Sequence, residues 1–197
     1  MRTNLLTFFA LKCLFHQMAL GQIFSYTTTE SGKKLNHRIL MDDSYFVESQ
    51  FTMNPNQFVK TIGGFYKQNG EYLEVNLEFN SNFSKDSLKQ VTIKDQHLWE
   101  EVSKNTMPLD GKWLMAGRVK DNQERRRDTS GPRKTMKILI DGYFQWIAFN
   151  SATFSFHGTG GGSYTAANGA YTETIHYFSR DNNKAGISLG FEYEKKG

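Results

Sequence analysis

Two residue pairs in this chain have the types and spacing for acid–base chemistry. Tyr72 and Glu74 stand two positions apart, and so do Tyr171 and Glu173. Residues i and i+2 of a β-strand share a face, so each pair sets a phenol beside a carboxylate. Turned into a barrel interior, such a carboxylate needs a cationic partner or a raised pKa, and Lys137 or Arg180 could supply the charge to the second pair. Glu173 would then serve as a general base, with Tyr171 or His157 as the acid. Turned to solvent, the same glutamates are ordinary surface charge, and the pattern accommodates both placements.

Other chemistries find less support. His37, His97, His157 and His176 show no His-x-His or His-x-x-x-His spacing, and the single cysteine, Cys13, lies close to the N-terminus. No metal or cofactor is therefore expected. There is no Gly-x-Ser-x-Gly nucleophile turn. The run Gly158-Thr-Gly-Gly-Gly162 invites a phosphate-loop reading, but Ser163 stands where the dinucleotide fingerprint needs glycine, and a hairpin follows where that fingerprint needs a helix. Glycines that let a strand bend account for it better. Trp146, Phe149, Phe154 and Phe156 gather in sequence beside His157. They line either a packed core or a hollow for a small hydrophobic molecule, and an exposed Trp146 would instead form a stacking platform for a sugar.

The elements that must position these residues are strands. Among 197 residues there are 16 Phe, 9 Tyr, 17 Gly and only 3 Pro, with 22% charged. With a mean hydropathy of -0.58, this composition excludes a polytopic membrane protein and a disordered chain and favours strands joined by tight turns. The net charge of +4 is concentrated between Arg118 and Lys137, where eight basic residues face three acidic ones. A local excess of this kind does not call for nucleic acid. It reads as a solvated connection, with contact to phosphate or an acidic glycan as the other reading.

The N-terminus carries Arg2, then the apolar run Leu5 to Leu11, with Ala19 and Gly21 as the small residues a signal peptidase accepts. Residues 1–21 are accordingly expected to be a secretory signal peptide, directing the chain to the periplasm or outside a bacterial cell. Leu5 to Leu20 is too short to cross ~30 Å of hydrocarbon, so no integral membrane segment is expected. An amphipathic first helix is the alternative. Lys12 before Cys13 argues against a lipid anchor.

A repeat organises the remainder. Ile39-Leu-Met-Asp-Asp-Ser-Tyr-Phe46 returns as Ile138-Leu-Ile-Asp-Gly-Tyr-Phe144, with one residue dropped in the turn. Gly63-Gly-Phe-Tyr66 returns as Gly161-Gly-Ser-Tyr164, and Asn69-Gly-Glu-Tyr-Leu-Glu74 as Asn168-Gly-Ala-Tyr-Thr-Glu173. The offset is 98 to 99 throughout. Asn-Gly is a strong hairpin signal, and Tyr72 to Phe79 alternates, with Leu73, Val75, Leu77 and Phe79 on one face. Only Gln96 to Lys104 admits a helical reading, and Trp99 there is expected to end the first copy as a strand. The copies divide near Met107, into 22–107 and 108–197.

Gly111-Lys-Trp113 opens the second copy, which continues through Lys137-Ile-Leu-Ile-Asp-Gly-Tyr-Phe-Gln-Trp146, Gly158-Thr-Gly-Gly-Gly-Ser-Tyr-Thr165, Asn168-Gly-Ala-Tyr-Thr-Glu173 and Phe178-Ser-Arg-Asp181. On these residues the mature chain resembles a family of uncharacterised secreted bacterial proteins with tandem lipocalin-like (calycin-type) repeats. The first copy is more diverged and lacks a clear Gly-x-Trp. The resemblance implies an all-β fold of two tandem small antiparallel lipocalin-like β-barrels, and no established activity. Trp113 would plug the closed end of the second barrel. The second copy ends at Phe191-Glu-Tyr-Glu-Lys-Lys-Gly197 with no return strand, so its barrel is expected to lack its last strand and to offer an open edge to a β-pairing partner.

The leading functional expectation is an exported, non-enzymatic protein that binds a small hydrophobic ligand or acts as an envelope interaction module. Its candidate ligand-binding residues are Trp113, Trp146, Phe149, His157, Tyr171, Glu173 and Arg180. A calycin-type isomerase or hydrolase using Glu173, and a carbohydrate-binding module, are the alternatives.

Overall fold

The computed structural model describes residues 21–103, 105–121 and 123–195. The expected leader, apart from Gly21, lies outside the described residues. The first copy forms one antiparallel meander: β1 (Gln22–Glu30), β2 (Lys33–Met41), β3 (Tyr45–Met53), β4 (Asn56–Asn69), β5 (Tyr72–Asn80) and β6 (Gln90–Ile93). One helical turn, α1 (Phe83–Asp86), follows β5, and a 3-10 turn, Gln96–Leu98, leads to β7 (Glu100–Ser103). β7 returns to the free side of β1, so the sheet order is β6-β5-β4-β3-β2-β1-β7.

The second copy repeats the plan with an insertion. β8 (Gly111–Leu114) is followed by a separate hairpin of β9 (Gly117–Lys120) and β10 (Gln123–Arg126). Then come β11 (Arg133–Ile140), β12 (Tyr143–Asn150), β13 (Ser155–Ala167), β14 (Ala170–Phe178) and β15 (Ser188–Glu192). Its order is β15-β14-β13-β12-β11-β8. The chain is thus nearly all β, and both sheets are open.

Each sheet curls over one face. In the first, Phe24 and Tyr26 of β1 share an apolar cluster with Val91 and Ile93 of β6, around Ile39, Phe46 and Leu73, and Trp99 packs against it. Trp99 therefore covers this hollow from the crossover, just outside β7. In the second, Leu139, Phe144, Tyr164, Tyr171 and Ile175 form the matching cluster, covered by Met107 and Leu109 from the connection between the copies. The opposite faces of the two sheets pack together. Ile23, Leu40, Tyr45, Val47 and Phe79 from the first meet Met136, Ile138, Ile147 and Phe149 from the second in one core. The repeats consequently share their largest apolar layer, and neither could be removed without baring it.

The pairing registers correct the sequence alignment of the copies. Phe46 opposes Gly64 and Met41, and Phe144 opposes Gly162 and Leu139, which is a constant separation of 98. No residue is dropped in the first turn, because Asp42 pairs with Tyr45 as Ile140 pairs with Tyr143. The second hairpin differs in which residues make the loop. Asn69 opposes Tyr72, leaving Gly70 and Glu71 in the turn with positive φ at Gly70 alone, whereas Asn168 and Gly169 are themselves the loop and both have positive φ. A one-residue slip exchanges the faces of a strand. Hence Tyr72 is 44% exposed and Tyr171 only 7%, and the equivalents of Tyr171 and Glu173 are the apolar Leu73 and Val75.

Candidate functional site

The hollow of the first sheet holds a buried polar chain that the sequence does not advertise. Tyr26 sits opposite His37 on β2, their rings stacked at 4.0 Å, and Ile39 opposite Glu48 on β3. His37 Nδ1 lies 2.6 Å from Glu48 Oε1, and the Tyr26 hydroxyl donates to the same oxygen at 2.9 Å. Thr28 Oγ1 is 2.8 Å from His37 Nε2. Nδ1 donates to Glu48, and the direction of the Thr28 bond at Nε2 follows the protonation of the ring. Burial alone would raise the Glu48 pKa, but the bonds and charge of His37, with those of Tyr26 and Gln50, outweigh it and hold the carboxyl below its usual value. Burial and then Glu48 push the Tyr26 phenol up. A hydroxyl, an imidazole and a carboxylate in that order can hold and pass a proton. They also satisfy both ring nitrogens of a buried histidine.

This chain forms one wall of a cleft. Among the described residues β7 pairs only with Ile23 to Ser25, which leaves the edge of β1 free from Tyr26 onward. A cavity of about 590 Å³ opens there, lined by Tyr26, His37, Arg38, Phe51, Leu98 and His176 among others. Arg38 lies 4.3 Å over the Tyr143 ring, and its Nε is buried with no hydrogen-bond partner among the described residues. Burial, and next the Arg38 charge, hold the His176 pKa below its usual value.

The hollow of the second sheet also holds a buried carboxylate, on a different strand. Glu173, 5% exposed, faces inward from β14, forms an ion pair with Lys137 of β11, and accepts from the Tyr171 hydroxyl at 2.7 Å. Lys137 stands 5.2 Å over the Tyr171 ring. Burial and the bond to Glu173 raise the Tyr171 phenol. Of the two cations expected beside Glu173, Lys137 is there and Arg180 is not. Arg180 is spent on the carbonyl of His157, to which Nε and Nη2 donate at 3.0 and 2.8 Å, and it lies 5.6 Å over the Trp146 ring.

The aromatic group expected around His157 is dispersed. Trp146 is on the hollow face beside Phe178, whereas Phe149 is fully buried in the core between the sheets. Phe156 stacks on Phe58, and Phe154 on Phe83, both in the first copy. Alternation along β12 sends Trp146 and Phe149, three positions apart, to opposite faces, and Phe154 lies in the loop between β12 and β13. Trp113 does not plug a barrel. It lies on the edge strand β8, 42% exposed, with its indole N–H donating to the Leu109 carbonyl at 2.8 Å. The glycine run makes room for side chains: a Cβ on Gly160 would come within 2.6 Å of the Trp146 indole nitrogen, and one on Gly158 within 2.6 Å of Arg180 Nε.

Sequence reasoning missed Tyr26, His37, Glu48 and Arg38 as a group. The available signal was polar residues alternating on three consecutive strands, at Thr28 and Tyr26, His37, and Glu48. Among the described residues no group of three or more His, Cys, Asp or Glu side chains converges as a metal site would, and no helix is long and apolar enough to cross a membrane. No family model, no curated protein and no solved structure matches this chain.

Proposed function

We propose that the chain is an exported, non-enzymatic binding protein of tandem lipocalin-like repeats, each curled sheet standing for one barrel, and that its ligand seat is the cleft beside Arg38. The ligand is a small molecule with an apolar body and one hydrogen-bond-accepting or anionic group. The observation that carries this reading is the buried, unpartnered Nε of Arg38 on the wall of a cavity of about 590 Å³. A buried donor left unpaired costs roughly 1–3 kcal/mol, which an accepting group in the cleft would recover. Phe51, Met53 and Leu98 supply the apolar contact there. The hollows themselves are filled by their own aromatic side chains, which shifts the expected hydrophobic ligand from a barrel lumen to this cleft. Solvent extraction of the purified protein followed by mass analysis, beside a Ser25→Trp variant that fills the cleft, tests the reading. A small molecule present in the parent and absent from the variant supports it, and equal amounts in both contradict it.

One observation favours an interaction module as the second reading. β7 covers the free side of β1, while among the described residues the equivalent side of β8 is bare and exposes Trp113, Leu114 and Met115. Such an edge suits pairing with a strand of a partner.

A further inference from the structure

We infer that the second sheet carries an anion site built for a phosphate group, separate from the cleft beside Arg38. A cavity of about 450 Å³ opens at the end of the sheet away from the connection between the copies, lined by Arg127, Asp128, Arg133, Lys134, His157 and Arg180 among others. Among the described residues none of these four cations makes an ion pair. The one carboxylate, Asp128, has Oδ1 engaged by the amide and hydroxyl of Ser130, at 2.7 Å each, and its charge acts on Lys134.

Three of the four cations, Arg127, Lys134 and Arg180, are nevertheless held by neutral acceptors. Arg127 Nη2 donates to the Arg133 carbonyl at 2.9 Å, and Lys134 Nζ to the Thr129 carbonyl at 3.3 Å. Arg180 is fixed by two bonds to the His157 carbonyl and by the Trp146 ring, in space that only a glycine at 158 leaves open. Carbonyl partners orient a guanidinium without cancelling its charge, so the site is arranged for an anion before one arrives.

The hairpin that leads into Arg127 is itself basic. Arg118 of β9 stands directly opposite Arg125 of β10. Like charges placed so destabilise a strand pair. A single cavity of this volume suits one head group. Several forked donors around it match the oxygens of a phosphate better than the two of a carboxylate. The phosphate belongs to a soluble phosphorylated molecule or to a lipid head group.

Calorimetric titration with inorganic phosphate and pyrophosphate at low ionic strength, beside sedimentation with phosphatidylcholine vesicles with and without phosphatidylglycerol, tests the site. Saturable binding of the free anions identifies a soluble source, and sedimentation only with the anionic vesicles identifies a lipid source. In either case Arg180→Gln and Arg133→Gln should each weaken binding by about tenfold, added salt should weaken it further, and Lys67→Gln, an exposed position on β4 of the first sheet, should leave it unchanged. Absence of both kinds of binding, or binding unaltered in the Arg180→Gln and Arg133→Gln variants, would overturn the inference.

Discussion

The Gln145 amide of the second sheet donates to Thr61 of the first at 3.0 Å and to Thr159 of its own sheet at 3.1 Å. The two threonines are equivalent in the repeat. Thr61 donates to the Glu48 carbonyl at 2.9 Å and Thr159 to the Trp146 carbonyl at 2.6 Å. Each also has its amide bonded to a serine hydroxyl, that of Ser81 or Ser179. One glutamine therefore bridges two copies of the same local motif at the centre of the shared core.

Gln145→Ala removes both bonds and leaves a void where no relaxation is easy. It should cost about 2–4 kcal/mol. Because the core is common, chemical unfolding should remain one transition, with tryptophan fluorescence and far-ultraviolet dichroism coinciding in parent and variant. Two separated transitions would show the copies to be independent.

His37→Ala leaves Glu48 buried, 6% exposed, without its principal partner. A loss of about 3–5 kcal/mol is expected, measured by urea unfolding. His37→Gln retains a donor toward Glu48 and should lose less. Equal losses in the two variants would mean that the ring packing against Tyr26 matters more than the bond.

Trp113→Ala should cost no more than about 1 kcal/mol, since the ring lies exposed on an edge. Phe46→Ala, in the hollow of the first sheet, should cost about 3–5 kcal/mol. Comparable melting points for these two variants would restore a plugging role to Trp113.

Acidification should destabilise the fold in two stages. His176 has a folded pKa below its usual 6.5, so the unfolded chain takes up a proton first and stability falls as pH drops beneath that value. Glu48 has a folded pKa below its usual 4.5, so its contribution is complete above that value and is lost as pH falls through the lowered one. Melting temperature followed against pH should show both declines. Glu48→Gln should reduce the lower stage, to which Asp42 beside Lys112 also contributes, and leave the upper.

Much of the fold was legible in the sequence. The alternation of Tyr72 to Phe79 put the right residues inside, and Gly63-Gly64 and Gly161-Gly162 are equivalent in the structure. The faces of Tyr72 and Glu74 were not legible, because Asn-Gly signals a hairpin without saying which two residues form its loop. Lys137 beside Glu173 was readable, since charge demands a partner for a buried carboxylate. Arg180 was not, because a neutral carbonyl and the room left by Gly158 place it. The Tyr26–His37–Glu48 group depends on register across three strands. Glu48, between Val47 and Ser49, reads locally as a solvent-facing position.

Native mass spectrometry of the chain from Gln22, purified without detergent, beside Arg38→Leu, tests the ligand seat most directly. Arg38 makes no ion pair among the described residues and its Nε is unpaired, which offsets the loss of its contact over the Tyr143 ring, so the variant should fold with a stability within about 1 kcal/mol of the parent. The parent is expected to carry a bound small molecule that Arg38→Leu has lost. A bare mass for the parent, or the same adduct on both proteins, would contradict the assignment of the cleft.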